Sequence, residues 1–290
     1  MKAGSFEWHP ARSADEAVAL LAEYAPQDGR VIAGGQSLVP SMALRLAFPS
    51  HLIDINGVDE FSRVRVDRGG VDGDELVIGA CVRHAAFHVP VEPGPLGRLL
   101  VQVVHNIAHY PIRQRGTFCG SLANADPASE WCLLAATLGA RMVAKSVRGT
   151  RVIPAADWFH GIMTTALAED ELLAEVRLPL LPEGSRAGFY EFSRRAGDYA
   201  LAMALATWRD DGGAMRDVRI GAGAVEVQPR RIAQAEAVLE GRPSSPAAID
   251  EAAAAASAAV DPLEDFHTSA DYRRDLVGTV VRRAFAQAGS

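Results

Sequence analysis

The 290-residue sequence predicts an α+β chain with two mixed subdomains, residues 1–55 and 56–175, followed by a sheet-and-helix domain over residues 176–290. Three observations predict this. Short strand-like apolar runs alternate with amphipathic helix patterns up to about residue 175. Three longer strand-like runs then follow one another. The chain closes on two helix-forming stretches, the first an alanine-rich EAAAAASAAV. A hydrophobic fraction of 49% is enough for two or three compact cores in a chain of this length.

The elements follow in order. After an aromatic start (Phe6, Trp8), SADEAVALLAEYA reads as a helix, with Ser13 and Glu16 spaced as a capping box. Ala17, Val18, Leu20, Leu21 and Tyr24 form its apolar face. A strand over 30–33 runs into Gly34-Gly35-Gln36-Ser37, and a helix is predicted over 38–46. HLIDI (51–55) is a buried strand, and ELVIGACV (75–82) a strand behind a Gly- and Asp-rich turn. The spacing predicts a helix over 96–110, a loop of small residues over 113–126 and a helix over 127–140. RMVAKSV and TRVIPAADWF complete the second unit. ELLAEVRLPL leads into the strands GFYEFSRR, YALAMALATWRD and MRDVRIGAGAVE, with DDGG (210–213) as a hairpin turn between the last two. Helices are predicted near 246–260 and 270–287, and no repeat of 20–50 residues is present.

Composition narrows the function. The net charge is -7, the arginines are scattered and lysine occurs only at Lys2 and Lys145, so nucleic acid is not expected as a partner. No apolar run is long enough to span a bilayer, and the N-terminus lacks a signal core, which suggests a cytoplasmic protein. Cys81, Cys119 and Cys132 form no C-x-x-C pair, so neither zinc nor an iron–sulfur cluster is expected on them, and small buried thiols are the simpler reading. His105 and His109 stand at i, i+4, but Asn106 replaces the Glu of H-E-x-x-H. No metal site is expected, and the remaining histidines read as isolated. Gly221-Ala222-Gly223 lacks the third glycine of a dinucleotide fingerprint and sits in a strand-like stretch. There is no G-x-S-x-G elbow.

Two segments carry chemistry. In Ala33-Gly34-Gly35-Gln36-Ser37 the glycines let consecutive backbone N–H groups turn towards one anion, and Ser37 can cap the next helix or donate its hydroxyl to a phosphate. An ordinary strand-to-helix turn has the same spacing. The second segment runs from Arg115 to Pro127. Thr117 and Ser121 supply hydroxyls, Gly120 permits close approach, and Asp126 followed by Pro127 suits an N-cap. Asp126 and Glu130 would repel phosphate and better suit ribitol or ribose hydroxyls, unless they only cap the following helix.

On these residues the sequence resembles a family. AGGQSL (33–38) and RGTFCGSLANADPASE (115–130) look like the paired FAD signatures of the medium subunits of aerobic carbon monoxide dehydrogenase and related molybdenum hydroxylases, whose FAD domain also occurs within xanthine dehydrogenase. HLIDI, IGACVRH, DWFHGIMTTALAEDELL, SRRAGDYALA and VRIGAGAVEVQPRR extend the likeness over essentially the whole chain. The resemblance implies a two-part FAD-binding domain of the vanillyl-alcohol-oxidase (PCMH) type and a carbon monoxide dehydrogenase flavoprotein-like C-terminal domain. It implies that Ala33, Gly34, Gly35, Gln36 and Ser37 line the FAD diphosphate, and that Thr117, Cys119, Gly120, Ser121 and Asp126 form the second loop. It also implies that Glu130, Leu173 and Tyr199 lie near the flavin, and that no catalytic residue of this chain touches an organic substrate.

The implied partners are a large molybdopterin subunit and a small subunit with two 2Fe–2S clusters, in a dimer of heterotrimers (a heterohexamer). Electrons would pass from the clusters to FAD and on to a quinone or NAD. A stand-alone flavin oxidase or reductase is the alternative, and an assembly protein that has lost FAD is a third reading. Two positions depart from the family. Cys119-Gly120 replaces two adjacent glycines, so Cys119 is strained if its position needs positive φ and tolerated if it needs only a small side chain. GFYEFSRR has no lysine where relatives often carry a basic residue, so flavin potential or NAD reactivity would differ from theirs.

Overall fold

The computed structural model describes residues 2–70, 73–266 and 268–288. The first unit contains β1 (Glu7–Pro10), α1 (Ala14–Tyr24), β2 (Gly29–Ile32), α2 (Leu38–Ala43) and β3 (His51–Asp54). Its three strands are parallel in the order β1-β3-β2. Ser13 Oγ accepts the Glu16 N–H at 3.1 Å, while the Glu16 carboxylate takes the Arg12 N–H, one residue earlier than a standard capping box. Ala14, Ala17, Val18 and Leu21 turn into the core. α2 is shorter than predicted, and the chain leaves it through Arg45 at φ +62°.

The second unit contains β4 (Val64–Gly70), β5 (Gly73–Gly79), α3 (Pro95–Val104), α4 (Tyr110–Arg113), α5 (Phe118–Asn124), α6 (Glu130–Leu138), β6 (Arg141–Ser146), β7 (Gly149–Pro154), the short hairpin β8 (Phe159–Gly161) and β9 (Thr164–Thr165), and β10 (Leu172–Pro179). Its antiparallel sheet has the order β4-β5-β10-β6-β7, so the last strand to be made sits at the centre. Part of the turn expected before β5, residues 71 and 72, lies outside the described residues. β10 runs through position 175 and carries this sheet to Pro179.

Three expectations here are corrected. The helix over 96–110 ends at Val104, and Ala108 at φ +41° separates it from α4. His105 and His109 therefore share no helical face; the His105 ring bonds the Val101 carbonyl at 2.7 Å instead. The loop over 113–126 contains a helix, α5. Thr117 caps it, with Oγ1 accepting the Gly120 N–H at 3.1 Å, and Phe118, Cys119 and Leu122 bury its inner face. The next helix starts at Glu130 rather than at Pro127. Asp126 closes a turn in front of it, its Oδ1 accepting the Ala128 N–H at 2.9 Å.

The third unit contains β11 (Ser185–Phe192), β12 (Ala202–Asp211), β13 (Ala214–Gly223), β14 (Arg230–Arg231), α7 (Ala233–Leu239), α8 (Pro246–Ala259) and α9 (Ala270–Ala288). The strands form an antiparallel meander in sequence order. β12 and β13 meet at the predicted hairpin, where Gly212 and Gly213 (φ +57° and +85°) form the turn. β12 is apolar on both faces because both are covered. Met203 and Leu205 join the core of the first two units, while Ala202, Ala204, Ala206 and Trp208 pack with α7, α8 and α9.

Candidate functional site

The two chemistry-bearing segments meet backbone to backbone. A Cβ built on Gly34 would lie 2.4 Å from the Arg115 carbonyl oxygen and 2.7 Å from Gly116 Cα, so only glycine fits at Gly34. Gly35 follows with φ +69°, the left-handed region that turns the chain into α2. Polar side chains pin the junction. Asn56 Nδ2 donates to the Ala33 carbonyl at 2.8 Å, and the Arg83 guanidinium donates to Asn56 Oδ1 and to the Arg115 carbonyl, both at 2.5 Å. His84 N–H bonds Gly116 O at 2.9 Å and Phe118 N–H bonds Val82 O at 3.0 Å, which fixes the second segment to the stretch that follows β5.

Between the segments lies a cavity of about 330 Å³. Of the residues implicated by sequence, Ala33, Gly34, Gly35, Gln36, Ser37, Thr117, Cys119, Gly120, Ser121 and Leu173 line it. Leu167 and Leu172 give it an apolar wall. Glu171 also lines it; its carboxylate sits below the usual range because Arg151 holds it at 2.8 and 2.6 Å. His84 closes the inner end. Burial, then the charges of Arg113 and Arg83, push its ring down to about 3, so it is neutral, and its Nδ1 accepts from Trp131 Nε1 at 3.0 Å.

The cavity's main polar feature is backbone. Among the described residues, the N–H groups of Gly34, Gly35, Gln36 and Ser37 donate to no protein acceptor. Four neighbouring amides on a cavity wall without a protein acceptor are donors that an anion could satisfy. Ser37 makes no side-chain cap, so its hydroxyl is also available there. Of the two roles considered for it, the capping one is not found. Cys119 lies inside α5 with ordinary helical backbone, fully enclosed, its thiol donating to the Ile78 carbonyl at 3.4 Å. The position needs a small side chain rather than positive φ, and burial holds the thiol well above its usual range. Gly120 is needed for contact, since a Cβ there would lie 2.5 Å from Thr117 Oγ1.

Asp126, Glu130 and Tyr199 do not line this cavity. They lie close to one another, together with Glu191 of β11. Burial pushes Glu130 up to about 7. Burial, then the charge of Glu130, pushes Glu191 up to about 8, and Glu191 Oε2 is enclosed without a hydrogen-bond partner. Burial raises Asp126 as well. Tyr199 is 71% exposed, and partial desolvation and then the Asp126 and Glu130 carboxylates raise its phenol. The structure thus separates an amide-rich cradle from a proton-holding carboxyl cluster. Asn56, Arg83, His84 and Glu191 are the residues that the sequence reading passed over. Only Arg83 and His84 carried a signal, as the end of IGACVRH behind a strand.

The expectation of isolated histidines fails at His9 and His51. The parallel pairing of β1 with β3 brings His9 Nε2 within 3.0 Å of His51 Nδ1.

Comparisons with known proteins agree along the whole chain. Residues 4–181 match the family described as FAD binding domain in molybdopterin dehydrogenase, and residues 187–288 match the CO dehydrogenase flavoprotein C-terminal domain. The nicotine 6-hydroxylase medium subunit of Paenarthrobacter nicotinovorans is 37% identical over 100% of this chain and 99% of its own. The carbon monoxide dehydrogenase medium chain of Hydrogenophaga pseudoflava is 34% identical over 96% of this chain and 95% of its own. A solved structure of carbon monoxide dehydrogenase from Hydrogenophaga pseudoflava, lacking the Mo-pyranopterin moiety of its cofactor, superimposes with a TM-score of 0.93 at 35% identity, covering 100% of this chain and 99% of that one.

Proposed function

The chain belongs to the family of FAD-binding medium subunits of molybdenum hydroxylases, and we propose that it passes electrons from a partner's iron–sulfur clusters, through its own FAD, to an external acceptor. The observation that carries the reading is the cradle where Gly34 meets Arg115 and Gly116. Its four free amides suit a diphosphate held between two segments far apart in sequence.

In this reading Ala33 to Ser37 hold the diphosphate from one side. Thr117, Cys119, Gly120 and Ser121 complete the cradle from the other. Leu173, with Leu167 and Leu172, supplies the dry wall against the flavin ring and limits water access. Glu130 and Tyr199, with Asp126 of the second loop and Glu191, would lie near the flavin. There the Glu130 and Glu191 carboxyls can retain protons near neutral pH. FAD, when bound, supplies a carrier that accepts electrons one or two at a time. The chain's part is to hold, orient and shield it, and no side chain of this chain is assigned to substrate chemistry.

The partners in this proposal are a large molybdopterin subunit, where substrate is oxidised, and a small subunit with two 2Fe–2S clusters, in a dimer of heterotrimers. A quinone or NAD takes the electrons. Leu44, Leu46 and Phe48 are 63, 76 and 65% exposed just beyond the glycine segment, a surface suited to a partner's cover. The three cysteines are free and buried, which suits a reducing cytoplasm. No helix among the described residues is long and apolar enough to cross a membrane. The proposed units are residues 1–55, 56–175 and 176–290.

The test is reconstitution. The purified chain should be yellow and should show no turnover with organic substrates of molybdenum hydroxylases. Its flavin should be reduced by substrate only when both partner subunits are added. Turnover of an organic substrate by the chain alone would replace the proposal with a stand-alone oxidase.

A further inference from the structure

We infer that Glu7, His9 and His51 form a binding site for a divalent transition-metal ion of the zinc class, at the end of the first sheet remote from the cradle. Glu7 and His9 are two residues apart on β1 and therefore share a face of the sheet. His51 opens β3 and pairs with Glu7 in the parallel register, which brings the third side chain to the same spot. The three donor atoms are Glu7 Oε2, His9 Nε2 and His51 Nδ1. They stand 3.9 Å (Glu7 to His9), 3.7 Å (Glu7 to His51) and 3.0 Å (His9 to His51) apart. The point in their plane equidistant from all three lies about 2.1 Å from each, within the range of zinc–imidazole and zinc–carboxylate bonds. Two imidazoles and one carboxylate are a zinc-type ligand set, and a fourth position stays open to water.

The rings are already held in place. Tyr24 of α1 stacks on His9 at 4.1 Å and 19°, and on His51 at 4.4 Å and 24°. The two histidine side chains are only 15 and 12% exposed, whereas Glu7 is 72% exposed and can swing in to close the site. Without an ion, the two imidazole nitrogens share one hydrogen between them. An ion takes the place of that hydrogen, which moves to the donor ring's other nitrogen, so both imidazoles bind as neutral ligands. β1 is a four-residue edge strand, so the ion would fasten it to the central strand. The site is independent of the flavin. The strands enter the sheet here and leave it at the cradle, roughly 13 Å away along β3.

The test uses the untagged, flavin-loaded full chain after treatment with a chelator. Calorimetric titration with Zn²⁺ alone should give one ion per chain. Co²⁺ should give the visible d–d bands of a four-coordinate site. Zinc should also slow hydrogen exchange in the peptide that contains β1. His9→Gln and His51→Gln should each weaken zinc at least about tenfold, a loss already typical of residues that merely support a ligand. Both should retain flavin. Glu7→Gln, at an exposed position where folding is not at stake, should weaken zinc without altering the far-UV spectrum. The inference falls if the wild-type chain takes up no zinc, or if any of the three variants binds it as tightly as wild type.

Discussion

Gly34→Ala is the most direct probe of the cradle. The added methyl would lie 2.4 Å from the Arg115 carbonyl oxygen and 2.7 Å from Gly116 Cα, both backbone atoms that cannot rotate away. A carbon–oxygen contact relaxes at about 3.3 Å, so the two segments must part by ~1 Å. Overpacking of this kind costs about 1–3 kcal/mol of folding stability. A 1 Å displacement also breaks amide-to-phosphate hydrogen bonds, worth about 1.5–3 kcal/mol each when the acceptor is charged. Losing one or two of them weakens FAD by ~10- to 20,000-fold. The assay is titration of flavin-free protein with FAD, followed by flavin fluorescence, with a thermal melt in parallel. Gly4→Ala is the control, because a Cβ there meets nothing within 4 Å. A folded Gly34→Ala protein that binds FAD within about threefold of wild type would refute the backbone-contact argument.

Three further outcomes are expected. Gly35→Asp puts a bulky anion into the proposed diphosphate cradle, against Val39 and Ile32 and at a φ of +69°, and flavin per chain, read from absorbance, should fall below about one tenth of wild type. Arg83→Met removes the donor shared by Asn56 Oδ1 and the Arg115 carbonyl; urea unfolding should show a loss of about 1–2 kcal/mol, with weaker flavin retention. Glu191→Gln should change how stability depends on pH. The folded Glu191 carboxyl keeps its proton up to about 8, whereas an unfolded glutamate releases it near 4.5. The resulting penalty is absent below 4.5, grows as pH rises through that window and is complete above about 8. Its ceiling is about 5 kcal/mol, and solvent screening brings the expected gain of the variant at pH 9 to about 1–3 kcal/mol, with no gain at pH 4. Parallel unfolding curves at the two pH values check this.

Local signals were legible in the sequence where one short segment decides the structure. Ser13 and Glu16 start α1, and two consecutive glycines turn β12 into β13, each within a few residues. The cradle was legible as two motifs because glycine clusters at backbone junctions stand out. That the two could grip one diphosphate from distant places in the sequence was expected too; how they are pinned was not, since that rests on Asn56 and Arg83 reaching across the fold. The segment after Arg115 reads as loop because Gly116 and Gly120 have poor helix propensity. The Thr117 cap and the burial of Phe118 against Phe87 and Trp131 outweigh that propensity. Cys119 could not be judged from sequence because φ at that position decides the matter, and it proved helical. Glu191 gave no signal at all: one carboxylate in a strand looks solvated until the fold brings Glu130 beside it.

The central place of β10 bears on when the chain can take up its cofactor during synthesis. Leu172 and Leu173 of this strand line the cavity, and the sheet whose strand β5 leads into Val82 and Arg83 has a gap at its middle until β10 is inserted. A nascent chain that has exposed only the glycine-rich turn offers half a grip, and one that has exposed the Thr117 segment still lacks the floor between. Flavin loading must therefore wait until Pro179 has cleared the ribosome. A chain stalled earlier would leave the exit tunnel colourless.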